Sequence, residues 1–157
     1  MAIQEVRSII EPAAAALAAQ RATKNDRRRI NTALAAMETS QDHASAIAAD
    51  KAFHLAILDA THNPVLQGFR GAIDTILSTV FLVAVGSVGW FKDNLPNHAA
   101  AARAIDEGNA EKSRIAMERV LGYTKFKLSN KRPAIAAARK AVGTAASVKT
   151  KRKRHVS

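Results

Sequence analysis

The sequence predicts an all-α protein, an antiparallel bundle of six to seven helices. Two observations carry that expectation. Alanine occupies 34 of the 157 positions while aromatic residues make up only 4%. Alanine has the highest helix propensity, whereas strands draw on aromatic and β-branched residues. Helix start and stop signals also recur along the chain, and no stretch shows the alternation of a half-buried strand. The apolar fraction of 48% is ample for a core, and the length fits one domain of about 100–200 residues.

The elements follow from local signals. A first helix covers about Ala2 to Arg21, with Pro12 expected to kink it. Thr23 and Asp26 form a Thr-x-x-Asp start, and the second helix runs to about Glu38. A third spans about Asp42 to Ala60. Asn63 as N-cap and Pro64 at the first helical position begin a fourth, which fades near Val85. Gly86 and Gly89 mark a loop through Asn94, where Trp90 and Phe91 would cover the end of the bundle. A fifth helix runs from about Pro96 to Glu107. Gly108 and Asn109 stop it and cap a sixth, which reaches about Leu128.

The charge is unevenly placed. The chain carries 24 Lys and Arg against 13 Asp and Glu, a formal net charge of +11. Residues 1–129 hold 15 of the basic and all 13 of the acidic side chains; residues 130–157 hold the other nine basic ones. The expected division is therefore a bundle over 1–129 and a basic tail over 130–157. A short helix from Pro133 to Val142, stopped by Gly143, is compatible with the tail's first half. Its end, with Lys149, Lys151, Arg152, Lys153 and Arg154, lacks apolar periodicity and is expected to be disordered. Those five cations offer non-specific phosphate contacts to a nucleic acid, with affinity falling steeply as salt rises. A solvated extension without a role explains them equally well.

Several classes are excluded or disfavoured. The absence of cysteine removes disulfides, thiolate zinc sites and thiol catalysis. Glu5, Arg7 and Glu11 interrupt any apolar leader, so a cytoplasmic protein is expected. Thr75 to Phe91 is uncharged and as long as the shortest membrane spans, but Ser78, Thr79, Gly86, Ser87 and Gly89 dilute it. A buried core helix, with no membrane partner, is the better reading. No phosphate loop, nucleophile elbow or His-Glu-x-x-His motif is present. The Arg27-Arg28-Arg29 triplet reads as a solvated face, and His43 and His62 as exposed.

Four polar residues stand on stripes that should be apolar. In the third helix Ile47, Asp50, His54, Ile57 and Thr61 share a face, which puts a carboxylate and an imidazole one turn apart and pointing inward. In the fifth, His98 shares a face with Leu95, Ala101, Ala102 and Ile105. A buried carboxylate and imidazole must be hydrogen-bonded, paired or metal-bound. An Asp–His hydrogen bond satisfies the first pair alone; two imidazoles and a carboxylate together suit a divalent transition metal. Spacing does not show whether the two helices touch. Arg7 lies among Ile3, Ile10 and Ala14. It either pairs with Glu11 one turn on, snorkels to the edge, or aims its guanidinium into a cavity where it can grip a carboxylate.

The order of these residues resembles a known family. Glu5-Val-Arg7-Ser-Ile-Ile-Glu11-Pro12-Ala-Ala with Leu17-Ala-Ala-Gln-Arg21-Ala-Thr23 is similar to the opening of the FadR C-terminal (FCD) domain, the effector-binding domain of the FadR subfamily of GntR-type bacterial transcription regulators. Asp50-Lys-Ala-Phe53-His54 with Ala60-Thr-His-Asn63-Pro64, then His98 with Ala104-Ile105 and Gly108-Asn109, then Ala116-Met117 continue the match over about residues 3–128.

The resemblance implies an all-α bundle that dimerises and senses a small organic acid. In the family's metal-binding branch, Asp50, His54 and His98 fall on three of four ligand positions for zinc or nickel. The fourth falls on Val120, which cannot ligate and should weaken the site. Arg7 matches an arginine that holds a carboxylate effector, and Asn63 a pocket-adjacent asparagine. Family members carry a winged helix-turn-helix of about 70 residues before this domain. Here the pattern begins two residues after Met1, so the resemblance implies a sensor without its DNA reader. Two other functions compete: nucleic-acid binding through the tail, and a metal-dependent enzyme, for which no general base stands at a suitable spacing. The expectation is a non-enzymatic sensor.

Overall fold

A computed structural model describes residues 2–84 and 89–129. Its helices are α1 (Ala2–Arg21), α2 (Lys24–Thr39), α3 (His43–Asp59), α4 (Pro64–Gly68), α5 (Arg70–Ala84) and α6 (Gly89–Asp106). A seventh, α7, spans residues 110–129, and no strand occurs among the described residues. The fold is all-α, as the sequence predicts. The basic run from Lys149 to Arg154 lies outside the described residues. One compact unit covers Met1–Lys125 and holds everything considered below. No described helix is long and apolar enough to cross a membrane.

α3 is the central element, packing on α1, α2 and α5, while α6 packs on α1 and α2. Its buried residues run through Ala46, Ala49, Asp50 and Phe53 to Leu58. Small side chains line the interior of α1 and α6: Ala14, Ala15, Ala18 and Ala19 of α1, and Ala101, Ala102 and Ala104 of α6, are all buried. Alanine faces let helix axes approach closely. The backbone itself then comes within reach, and Ser113 of α7, fully buried, donates to the Ala15 carbonyl of α1 at 3.0 Å.

The ends form where local chemistry dictates. Thr23 and Asp26 make a reciprocal capping box, Thr23 Oγ1 accepting from the Asp26 amide and Asp26 Oδ2 from the Thr23 amide. Asn63 caps α4, its Oδ1 accepting from Val65 N and Leu66 N, with Pro64 at the first position. At the end of α6, Gly108 adopts φ 69°. Gly108 N then donates to Ile105 O and Asn109 N to Ala104 O, a Schellman closure. Asn109 Oδ1 in turn accepts from Lys112 N at 2.9 Å to start α7.

Two boundaries differ from the sequence reading. The helix expected from Pro64 to Val85 divides at Phe69 into α4 and α5. Gly68 is a poor helix residue, and Asp59 anchors the break, its carboxylate taking Arg70 at 2.8 Å and its carbonyl Gln67 at 2.9 Å. The larger difference is α6, which begins at Gly89 and not near Pro96. Proline marks a first turn in most sequences, but Pro96 sits exposed in the helix interior. Proline has no N–H to give the carbonyl one turn back, and on an exposed face solvent can take its place. Phe91, read as a loop residue, is thereby a buried side chain of α6. The Arg27–Arg29 triplet is also more than a solvated face: Arg29 pairs with Asp59 at 2.9 Å, and Arg27 donates to the Asp106 carbonyl.

Gly108→Ala tests the helix stop. An added Cβ would meet only the Ala19 carbonyl at 3.6 Å, an ordinary contact, so the cost is the positive φ. A stability loss of about 1 kcal/mol is expected from urea unfolding.

Candidate metal centre

α1, α3 and α6 converge on one polar cluster inside the bundle. Asp50, His54 and His98 are buried, and each offers a ligand atom within 4.8 Å of the others. Helices three and six thus do meet, which spacing alone left open. His98 Nε2 lies 3.2 Å from Asp50 Oδ1, and His54 Nε2 3.5 Å from Asp50 Oδ2. The two rings stand 5.6 Å apart, nearly perpendicular. Phe53, fully buried, packs edge-on against both, at 5.8 Å from His54 and 5.2 Å from His98. Its ring is a wedge that fixes their separation.

The outer nitrogens are also accounted for. His98 Nδ1 is 3.0 Å from the Asn94 carbonyl, one turn back on its own helix. His54 Nδ1 is 2.6 Å from Glu11 Oε2. That distance is short, but the ring is turned out of line with the carboxylate, so it is a close approach and not an aligned hydrogen bond. His98 Nε2, facing Asp50, is likewise a buried polar atom without an aligned hydrogen-bond partner.

Arg7 resolves the alternatives left by the sequence. It is 1% exposed, so it does not snorkel. Its Nε donates to Glu11 Oε1 at 2.6 Å and its Nη2 to Glu11 Oε2 at 3.3 Å. Nη2 also lies 3.4 Å from His54 Nε2. The intrahelical pair and the cavity-facing guanidinium are both present. Burial would raise the Glu11 carboxyl, but the His54 and Arg7 charges outweigh it and hold it at about 2. Burial likewise opposes ionisation of Asp50; His54, His98 and Arg7 overcome it and keep that carboxyl low. Burial disfavours the Arg7 cation too, and Glu11 more than compensates.

A cavity of about 10 Å³ opens at the cluster, lined by Arg7, Asp50, His54, Phe91, Asn94, His98 and Thr124. That is room for one water or one ion. A second of about 10 Å³ lies behind His54, between Glu11, Ile57, Leu58, Ile73 and Met117. The donor set fits a divalent transition metal: two imidazoles, one carboxylate, and a buried ring nitrogen left without a partner. Bound there, Asp50, His54 and His98 would be its ligands.

The other sequence candidates fall elsewhere. Asn63 is occupied as the α4 cap and does not line either cavity. Val120 is buried, and its carbonyl takes Asn94 Nδ2 and Thr124 Oγ1, each at 3.1 Å. His62 is half exposed and pairs with Asp26 at 2.8 Å. His43 departs from expectation, being half-buried with its ring edge-on to Phe91 at 5.5 Å. Sequence reasoning passed over three lining residues. Asn94 and Phe91 precede His98 by one and two turns, a signal hidden by starting the helix at Pro96. Thr124 stands one turn after Val120.

The profile of the FCD domain matches residues 2–123. The chain belongs to the FCD domain family. The galactonate operon transcriptional repressor of Escherichia coli is 37% identical over 121 residues, covering 74% of this chain and 53% of that protein. An E. coli protein named for regulation of the L-lactate dehydrogenase operon is 38% identical over 127 residues, covering 77% and 48%. This FCD chain therefore spans about half the length of the curated relatives it matches. Among solved structures, E. coli McbR/YncC superposes with a TM-score of 0.73 at 18% identity, over 83% of this chain and 64% of that one. That likeness concerns the fold.

The buried ion pair generates a stability prediction. Arg7→Met leaves the Glu11 carboxylate sealed in the core with less compensation and should cost about 3–5 kcal/mol. The double variant Arg7→Met/Glu11→Met removes both charges and should unfold at a higher urea concentration than the single one. Because the Glu11 carboxyl is depressed from 4.5 to about 2, its stabilisation is present above pH 4.5 and is withdrawn as the pH falls toward 2. The double variant should lose that part of the acid sensitivity, which thermal melts across this range would read.

Proposed function

We propose that this FCD domain is the effector-sensing part of a GntR-type transcription regulator, and that it binds a small carboxylic acid through a divalent metal. The convergence of Asp50, His54 and His98 on one point carries the reading. Charge supports the acid. With neutral imidazoles, Arg7, Glu11 and Asp50 leave the pocket one negative charge in excess. A divalent ion reverses that to one positive charge, which a single carboxylate cancels. Arg7 Nη2, already 3.4 Å from a candidate ligand nitrogen, stands within reach of a carboxylate bound at that point.

The relatives are named for the galactonate and L-lactate dehydrogenase operons. Galactonate and lactate are both hydroxy acids, so a short hydroxycarboxylate is the effector class we favour. A molecule of that size exceeds the present 10 Å³, and its entry requires Phe91 or Thr124 to give way. Occupancy would thus be coupled to the start of α6. In a dimeric regulator with a DNA-binding head, such a change would bias the heads between two arrangements.

Calorimetric titration of the metal-free protein tests the reading. Zinc or nickel should bind one to one, and His98→Ala should abolish that binding. Lactate or galactonate should then raise the melting temperature of the metal-loaded protein only. Arg7→Lys keeps the charge but loses the fork geometry, and should weaken the acid about tenfold or more while sparing the metal. Failure of both metals to bind the wild type would sink the proposal.

A further inference from the structure

Glu11 is a buried carboxylate that neither the ligand set nor the carboxylate grip uses. It lies on α1, a different helix from any candidate ligand, and its two oxygens meet two different groups. Oε1 takes Arg7 Nε at 2.6 Å, while Oε2 faces Arg7 Nη2 at 3.3 Å and His54 Nδ1 at 2.6 Å.

We propose that Glu11 is the positioning residue of the centre: it holds the Nδ1 proton of His54, and so leaves Nε2 bare and turned toward Asp50 and His98. The inference rests on the metal reading above for its consequence; for the ring it rests on the 2.6 Å approach of Oε2 to Nδ1, a contact that a turn of the ring would bring into line. An imidazole binds a metal through one nitrogen, and the acceptor at the other nitrogen decides which. A carboxylate in that place also makes the ring a stronger donor than a neutral acceptor does. The two histidines differ in this respect. His98 is anchored by a backbone carbonyl of its own helix, which no substitution changes. His54 depends on a side chain from α1. Among the described residues the site offers three candidate ligands, so the loss of one oriented ring weighs heavily. The same carboxylate ties His54 to Arg7, and a chain from guanidinium to carboxylate to imidazole joins the acid-gripping group to a metal ligand.

The test has two readouts on the full chain. In the metal-free protein, ¹⁵N-correlated spectra of the histidine rings should show a proton on Nδ1 of His54, and Arg7→Met/Glu11→Met should move ring proton occupancy toward Nε2. The double variant is chosen because it leaves neither charge of the pair unpaired. Zinc titrations without any acid should show affinity lower by about 10- to 100-fold in Glu11→Gln and at least as much in the double variant. Arg7→Met/Glu11→Gln, which keeps an acceptor for the ring, should recover part of the loss. A bare Nδ1 in the wild type, or variants that bind zinc as tightly as it does, would overturn the inference. If the wild type binds neither zinc nor nickel, the metal reading fails, and the ring spectra still decide the role of Glu11.

Discussion

Everything about this domain turns on four ionisable side chains and one arginine sealed inside a bundle of alanine-rich helices. Arg7, Glu11, Asp50, His54 and His98 are each 5% exposed or less. Charges so removed from water persist only when they neutralise one another. The chain meets that constraint with three helices, each contributing one part: α1 the pair of opposite charges, α3 the carboxylate and one imidazole, α6 the second imidazole. Withdrawing any one helix would remove a polar group that another helix faces. The polar cluster therefore joins α1, α3 and α6 through side-chain contacts.

The apolar packing in turn makes the cluster possible. Alanine faces on α1 and α6 accompany the packing of α1 against both α3 and α6, and large residues are reserved for a few positions. Phe53 is the telling case, since its ring is wedged against both imidazoles. It sets the angle at which the two rings approach Asp50. The cavity that remains is small, so an ion or a water fits while a larger ligand must displace side chains of α6 or α7. A pocket that must open to be filled is suited to reporting its own occupancy.

Much of this was legible in the sequence, and the reasons are local. Helix ends governed by a cap or a glycine were readable: Thr23 with Asp26, Asn63 with Pro64, and Gly108 with Asn109 each act through neighbours within a few residues. The candidate ligands were readable because Asp50, His54 and His98 break otherwise apolar stripes. Their convergence was not, because the crossing of α3 and α6 depends on long-range packing that periodicity does not encode. Pro96 misled for a related reason. An exposed proline inside a helix looks the same in sequence as a proline that begins one, and that choice hid Asn94 and Phe91. Glu11 was visible only as the partner of Arg7; its approach to His54 spans more than forty positions of chain.

X-ray absorption at the zinc edge of the metal-loaded protein tests the central claim most directly. A shell of light atoms at about 2.0–2.2 Å is expected, containing two imidazoles, with oxygen completing the coordination. The multiple-scattering signature of one imidazole should disappear in His54→Ala. A zinc shell without imidazole scattering, or one unchanged by that substitution, would contradict it.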